Sequence, residues 1–278
     1  QYNPSNSSYI KKIDFNSALN GSNPYGDLCL ANNLKLYGMT YQGGTQNAGV
    51  IFEFDPKKNK YSKKFDLKSV SYGKNTYGGF VQASNGKLYG MTYQGGTSDY
   101  GTIIEYDPIN DTCIKRHDFD GNNGRNPYGN LIQANNGKLY GLCPYGGNDD
   151  YGVLFEYNTN NQTFSKLLDF DSSTGTNPFG DLIQTSNTGL YGLTYQGGAN
   201  DYGVLFEYNP ATNLYTALAH FNGTNGAHPF GSLSVYNGKL YGLTQQGGTD
   251  SLGVIFEFAP STKVLSKKID LTFINGAL

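Results

Sequence analysis

Short apolar runs, each closed by glycine, asparagine or proline, recur along the whole chain and set its architecture. Residues 129–134, Gly-Asn-Leu-Ile-Gln-Ala, read as a short strand. An Asn-Gly pair follows at Asn85-Gly86, Asn136-Gly137 and Asn237-Gly238, and that dipeptide favours the positive φ values of a type I′ hairpin turn. The next run is Lys-Leu-Tyr-Gly-Met/Leu-Thr, ending in Gly-Gly as at Gly43-Gly44. A third run, Gly-Val-Ile/Leu-Phe-Glu-Tyr/Phe, spans residues 203–208 in one copy and stops at turn residues such as Asp55-Pro56 or Asn209-Pro210. The fourth starts on an aromatic, as in residues 61–67, Tyr-Ser-Lys-Lys-Phe-Asp-Leu. No segment keeps a helical period over a useful length, so the pattern predicts four short antiparallel strands per unit.

The unit repeats through the chain. Leu-Tyr-Gly occurs at Tyr37, Tyr89, Tyr140, Tyr191 and Tyr241, spaced 52, 51, 51 and 50 residues apart. Four strands in about 50 residues describe a propeller blade. The expected fold is therefore all-β, a five-bladed β-propeller forming one domain over residues 1–278. The fourth-strand motif breaks the count, because it occurs six times, beginning at Tyr9, Tyr61, Cys113, Phe164, Tyr215 and Leu265. One terminal copy is surplus to a ring. The surplus copy makes a five-stranded blade or a frayed tail, belongs to a longer array, or pairs with a neighbouring molecule. An unpaired strand edge is a template for another chain, and a contact that does not close generates a filament. Tyr9, Ile10, Ile13 and Phe15 at one end, and Leu265, Ile269 and Leu271 at the other, are thus candidate assembly residues.

Residues 86–119, with Lys-Leu-Tyr-Gly-Met-Thr-Tyr-Gln-Gly-Gly and then Gly101-Thr102-Ile103-Ile104-Glu105-Tyr106-Asp107-Pro108, resemble a GloVer tandem repeat. The resemblance covers all five units and implies a bacterial surface protein. The same stretch is similar to kelch repeats in its Gly-Gly, its Tyr-Asp-Pro and its fourth-strand aromatic. Where kelch units usually place Trp, this chain has Tyr61, Cys113, Phe164, Tyr215 and Leu265. Neither resemblance carries over a catalytic residue.

Composition narrows the classes further. A net charge of −2 without a basic patch argues against nucleic acid as a partner. No apolar run approaches the ~18 residues of a membrane helix, so membrane insertion is not expected. The 24 tyrosines and 16 phenylalanines supply ample core, which excludes a disordered chain. Gln1 in place of an initiator methionine, and a surface rich in Asn, Ser, Thr and Tyr, point to a secreted or cell-surface protein. Sequons at Asn6, Asn20, Asn110, Asn161 and Asn222 permit glycosylation. Cys29, Cys113 and Cys143 share no spacing and indicate neither a disulfide framework nor a zinc site.

Candidate chemistry is sparse. His117, His220 and His228 each replace a different repeat residue, so they do not build a metal cluster. Glu53, Glu105, Glu156, Glu207 and Glu257 occupy one repeat position, and lysines on the fourth strand (Lys63, Lys115, Lys166, Lys267) are their expected cross-strand partners. The stretch Asp118–Gly124 has the look of a short calcium loop but occurs once. No catalytic residue, metal or cofactor is expected, and the chain reads as a non-catalytic module binding copies of itself or other surface proteins. The alternative is a multivalent glycan binder. It would use the Tyr-Gln loops (Tyr41, Gln42, Tyr93, Gln94, Tyr195, Gln196) and the Asn-Pro-Tyr-Gly loops (Asn23, Tyr25, Asn126, Tyr128, Asn177, Phe179), where aromatic faces sit beside amides.

Overall fold

The computed structural model describes residues 1–16, 19–186 and 189–274. Five four-stranded antiparallel sheets, I to V, follow one another along the chain, each an up-and-down meander. Sheet I comprises Cys29–Leu30, Leu36–Met39, Val50–Asp55 and Lys60–Asp66. Sheet II has Val81–Gln82, Leu88–Thr92, Thr102–Asp107 and Thr112–Asp118. Sheet III has Ile132–Gln133, Leu139–Cys143, Val153–Asn158 and Thr163–Asp169. Sheet IV has Ile183–Gln184, Leu190–Thr194, Val204–Asn209 and Leu214–His220. Sheet V has Ser234–Tyr236, Lys239–Leu243, Val254–Ala259 and Val264–Asp270. A sixth sheet is a two-stranded hairpin of Tyr2–Asn3 and Ser8–Tyr9.

Cross-strand register explains the Leu-Tyr-Gly motif. Successive residues of a strand face opposite sides, so the leucine and the tyrosine serve different neighbours. Leu139 packs toward sheet II, with Tyr89 and Met91, while Tyr140 packs toward sheet IV, with Leu190 and Phe206. The glycine pairs directly with the phenylalanine of the third strand (Gly38 with Phe52, Gly141 with Phe155, Gly192 with Phe206, Gly242 with Phe256). The ring lies over the glycine, and a Cβ on Gly141 would sit 2.5 Å from Phe155 Cζ. Each third–fourth strand pair carries a register shift at the same place, which adds twist to the outer edge.

Two local expectations change. Only Asn237-Gly238 has both residues at positive φ, as type I′ requires. At Asn85-Gly86 and Asn136-Gly137 the glycine alone is left-handed, in a longer loop closed by Ala83 and Ala134 N–H to Lys87 and Lys138 carbonyls. The structure also contains a one-turn helix, Ser69–Tyr72, whose Tyr72 packs edge-on against Phe65 at 4.9 Å. Four residues are too few to show a period.

Five sheets share four cores. Residues of I and II, II and III, III and IV, and IV and V each form one buried cluster. A closed five-bladed ring would have a fifth core, between V and I, and among the described residues there is none. Leu28 of sheet I is 53% exposed, where its counterpart Leu131 is 4% exposed. Leu243 of sheet V is 54% exposed, against 3% for Leu193. The sheets are arranged as an arc with two apolar ends that no other sheet covers, not as the closed ring expected from the repeat count.

Candidate functional site

Every junction between adjacent sheets is made by the same loop contacts. The asparagine that opens the Asn-Pro-Tyr-Gly-type loop in sheets II, III and IV sits at positive φ, and its side-chain amide donates to a carbonyl of the preceding unit. Asn75 reaches Tyr41 at 3.0 Å, Asn126 reaches Tyr93 at 2.8 Å and Asn177 reaches Pro144 at 2.9 Å. His228 takes that role in sheet V, with Nδ1 3.1 Å from the Tyr195 carbonyl. The backbone N–H groups of the same four residues donate to Ala48, Tyr100, Tyr151 and Tyr202 carbonyls. The following proline lies against a glycine of the preceding unit, as Pro127 does on Gly101.

The aromatics of these loops pack on one another. Tyr25 stacks on Tyr77, Tyr77 on Tyr128 at 4.4 Å, and Phe179 on Phe230 at 4.8 Å. Tyr41 and Tyr93 stand against Tyr77, and Tyr195 stands against Phe179. The Gln42, Gln94 and Gln196 backbones pair with Ser22, Lys74 and Thr176, tying each Tyr-Gln loop to its own unit. Beneath the aromatic fan, Gly79 N–H donates to Asn130, Asn130 N–H to Asp181, and Asp181 N–H to Ser232. Asn130 Nδ2 also donates to Asp27 at 3.2 Å and Asp181 at 2.9 Å. The loops enclose a cleft of about 180 Å³ where all five units meet.

The glutamate row is structural, but with other partners than expected. The third-strand glutamate stands opposite Ser62, Ser165, Thr216 or Ser266, while the fourth-strand lysine faces the adjacent phenylalanine position. Lys63, Lys115, Lys166 and Lys267 therefore bridge Asp66, Asp118, Asp169 and Asp270 three residues on. The glutamates turn to the second strand and, in three sheets, to the next fourth-strand residue, Lys64, Arg116 or Lys268. Tyr37, Tyr89, Tyr140, Tyr191 and Tyr241 hydroxyls donate to them at 2.6–3.0 Å. Lys35, Lys87, Lys138 and Lys239 pair with four of them. Burial opposes the charge on Glu105, but the Arg116 fork and the Tyr89 hydroxyl hold its carboxyl below the usual range.

Each histidine is a local substitution. His220 Nδ1 accepts the Ala199 N–H, the bond that Asp118 takes from Thr97 in sheet II. His117 is stacked on Phe164 at 3.7 Å, its buried Nε2 has no partner, and burial pushes it down to about 4. Asp120 and Asn123 exchange side-chain-to-backbone hydrogen bonds, closing their loop as a turn. Asn222 and Asn225 do the same in sheet IV's following loop. Among the described residues no three His, Cys, Asp or Glu side chains form a metal-sized group. Cys113 and Cys143 are buried and Cys29 half-buried, all as free thiols. Asn6, Asn110, Asn161 and Asn222 are exposed and Asn20 half-buried.

The two fourth-strand copies at the ends are used differently. Leu265, Ile269 and Leu271 belong to or directly follow the last strand of sheet V, in register with Val254–Ala259. Tyr9 ends the small hairpin, and residues 10–15 then run without strand pairing over sheet I. Phe15 lies 5.3 Å from Phe52 at an interplanar angle of 62°. Phe119 on Phe155 (5.4 Å, 62°) and Phe170 on Phe206 (5.5 Å, 61°) have the same geometry at internal junctions. Between this segment and sheet I is an apolar groove of about 620 Å³, lined by Ile13, Phe15, Leu28, Leu36, Phe52 and Phe54 among others. Sequence reading did not find these end faces, because Leu28 and Leu243 are the same repeat letters as their buried counterparts.

Repeated four-stranded meanders that pack face to face around common inner loops define a protein of the β-propeller-like class. The sequence profile of the Gloeobacter/Verrucomicrobia repeat matches residues 1–143, 65–233 and 183–278, and the chain belongs to that family. No curated protein matches it. Among solved structures it is similar to the extracellular domain of the putative one component system BT4673 from B. thetaiotaomicron. That likeness has 16% identity and a TM-score of 0.61, over 94% of this chain and 29% of the other. A chain of the nidogen/laminin complex matches at 12% identity and a TM-score of 0.56, over 87% of this chain and 79% of that one. The gluconolactonase XC5397 of Xanthomonas campestris matches at 13% and 0.52, over 91% and 78%. The chain thus spans under a third of the BT4673 domain. These neighbours include an enzyme, so they speak for the fold alone.

Proposed function

We propose that this chain is a non-catalytic interaction module of the cell exterior that assembles with copies of itself, its sheets serving as blades of a propeller-type array. The observation that carries this reading is the pair of apolar end faces that no other sheet covers, marked by the exposed Leu28 and Leu243, in an array whose other sheet faces are buried against a neighbouring sheet. Exposed apolar surface of this kind favours association. The ionisable groups support a structural role, because the glutamate row is held by tyrosines and lysines within each sheet. The extracellular setting of the BT4673 domain and the exposed sequons agree with a site outside the cell. Light scattering after size exclusion tests the reading. Mass should rise above 30.3 kDa with concentration, and a monomer at every concentration would refute it.

A second reading, a multivalent glycan binder, draws on the exposed ring of Tyr25 beside Asp27 at the axial cleft. A glycan array probed at high protein density tests that reading, and silence there removes it.

A further inference from the structure

The two end faces are the two halves of the junction that the array already makes four times. Each internal junction sets the tyrosine and Met/Leu side of one sheet against the Leu-Phe side of the next, as Tyr191 and Leu193 of sheet IV meet Leu233 and Phe256 of sheet V. Sheet V presents the first half, with Leu243 exposed and Tyr241 and Ile255 half-covered. Sheet I presents the second, as the groove floored by Leu28, Leu36, Phe52 and Phe54.

Resting on the assembly reading above, we propose that sheet V of one copy docks on sheet I of a second copy in the register of the internal junctions. The polar groups for that register are in place. Asn23 has the φ of +55° shared by Asn75, Asn126 and Asn177. Its amide would donate to the Gln245 carbonyl and its N–H to the Leu252 carbonyl, the counterparts of Tyr93 and Tyr100 opposite Asn126. Pro24 would lie on Gly253 as Pro127 lies on Gly101. Lys268, paired with Glu257 at 3.2 Å, would also reach the Asn59 loop, as Arg116 holds Glu105 and reaches Gln162 at 2.9 Å.

One seat has two claimants. Leu271 ends the fourth strand of sheet V where Phe119 and Phe170 end theirs, and those rings sit on the next sheet where Phe15 sits on sheet I. Docking therefore requires residues 9–15 to leave, and this segment competes with the incoming copy. The contact is heterologous, so each copy uses one face of each kind.

Complementary variants test the proposal. Leu28→Glu and Leu243→Glu alter side chains already more than half exposed, so both should fold. Each alone should stay at 30.3 kDa at concentrations where the wild-type chain grows, and their equimolar mixture should give a species of twice that mass. Deleting residues 1–16 should lower the concentration of half-association at least tenfold. Association that survives both glutamates overturns this interface while leaving the assembly reading intact, whereas a wild-type chain that never associates overturns the assembly reading itself. A double variant Asn23→Cys, Leu252→Cys should cross-link between chains on oxidation. Cross-linking within single chains would show that the arc closes on itself and would overturn the proposal.

Discussion

At the scale of single residues, the repeat tolerates substitutions that keep one interaction and lose another. His228 preserves the asparagine's hydrogen bond and His220 the aspartate's, but His117 takes a hydrophobic position and leaves Nε2 unpaired. Desolvation lowers His117 to about 4, from 6.5 unfolded, so the unfolded chain binds the extra proton between those values. Its contribution is therefore neutral above pH 6.5, and stability is lost as pH falls from 6.5 toward 4. Sheet III has Leu168 at the same place. His117→Leu should accordingly match the wild type in urea at pH 7.5 and exceed it by about 2–3 kcal/mol at pH 4.5. Equal pH dependence in the two proteins would show that the imidazole is not held neutral by burial.

At the scale of the element, two glycines of one hairpin have different duties. Gly137 stands in open space at φ +80°, so Gly137→Asn should be nearly silent. Gly141 has no unusual φ but lies under the Phe155 ring, and a Cβ there would come within 2.8 Å of Leu131 Cδ2, so Gly141→Ala should cost about 1–3 kcal/mol through overpacking. Chemical denaturation of both variants checks this, and a silent Gly141→Ala would mean that the ring moves freely. These elements are also where sequence reading succeeds best. The third strand expected over residues 203–208 is Val204–Asn209, because its apolar run and its closing Asn-Pro are both local signals. The lysine partner of Glu53 was not legible in the same way. It depends on a register in which Phe52 faces Lys63 and Glu53 faces Ser62, and that register is set by the length of the turn between Asp55 and Lys60, not by residue type. The helix Ser69–Tyr72 is hidden because one turn carries no period.

At the scale of the whole molecule, five copies of a motif suggest a ring, but closure depends on whether the ends meet, and no local pattern encodes that. The molecule is a stack in which each sheet packs on its sequence neighbours, so stability should be a sum of sheet and junction contributions. The consequence separates an array from a ring. A chain of residues 1–223 ends after Phe221 and lacks sheet V. In a ring, that cut removes two junctions and breaks cooperativity. In an array it removes one, and the remaining four sheets should fold with three intact cores. Its denaturant slope should fall by about one-fifth, in proportion to the surface no longer exposed on unfolding. The cut also uncovers Leu193 and Tyr191, which have the same repeat letters as Leu243 and Tyr241. The shortened chain should therefore still associate head to tail, now through sheet IV, and Leu193→Glu should abolish this in the shortened chain. A shortened chain that is unfolded, or folded and strictly monomeric, would show that sheet V contributes more than one more turn of the same junction.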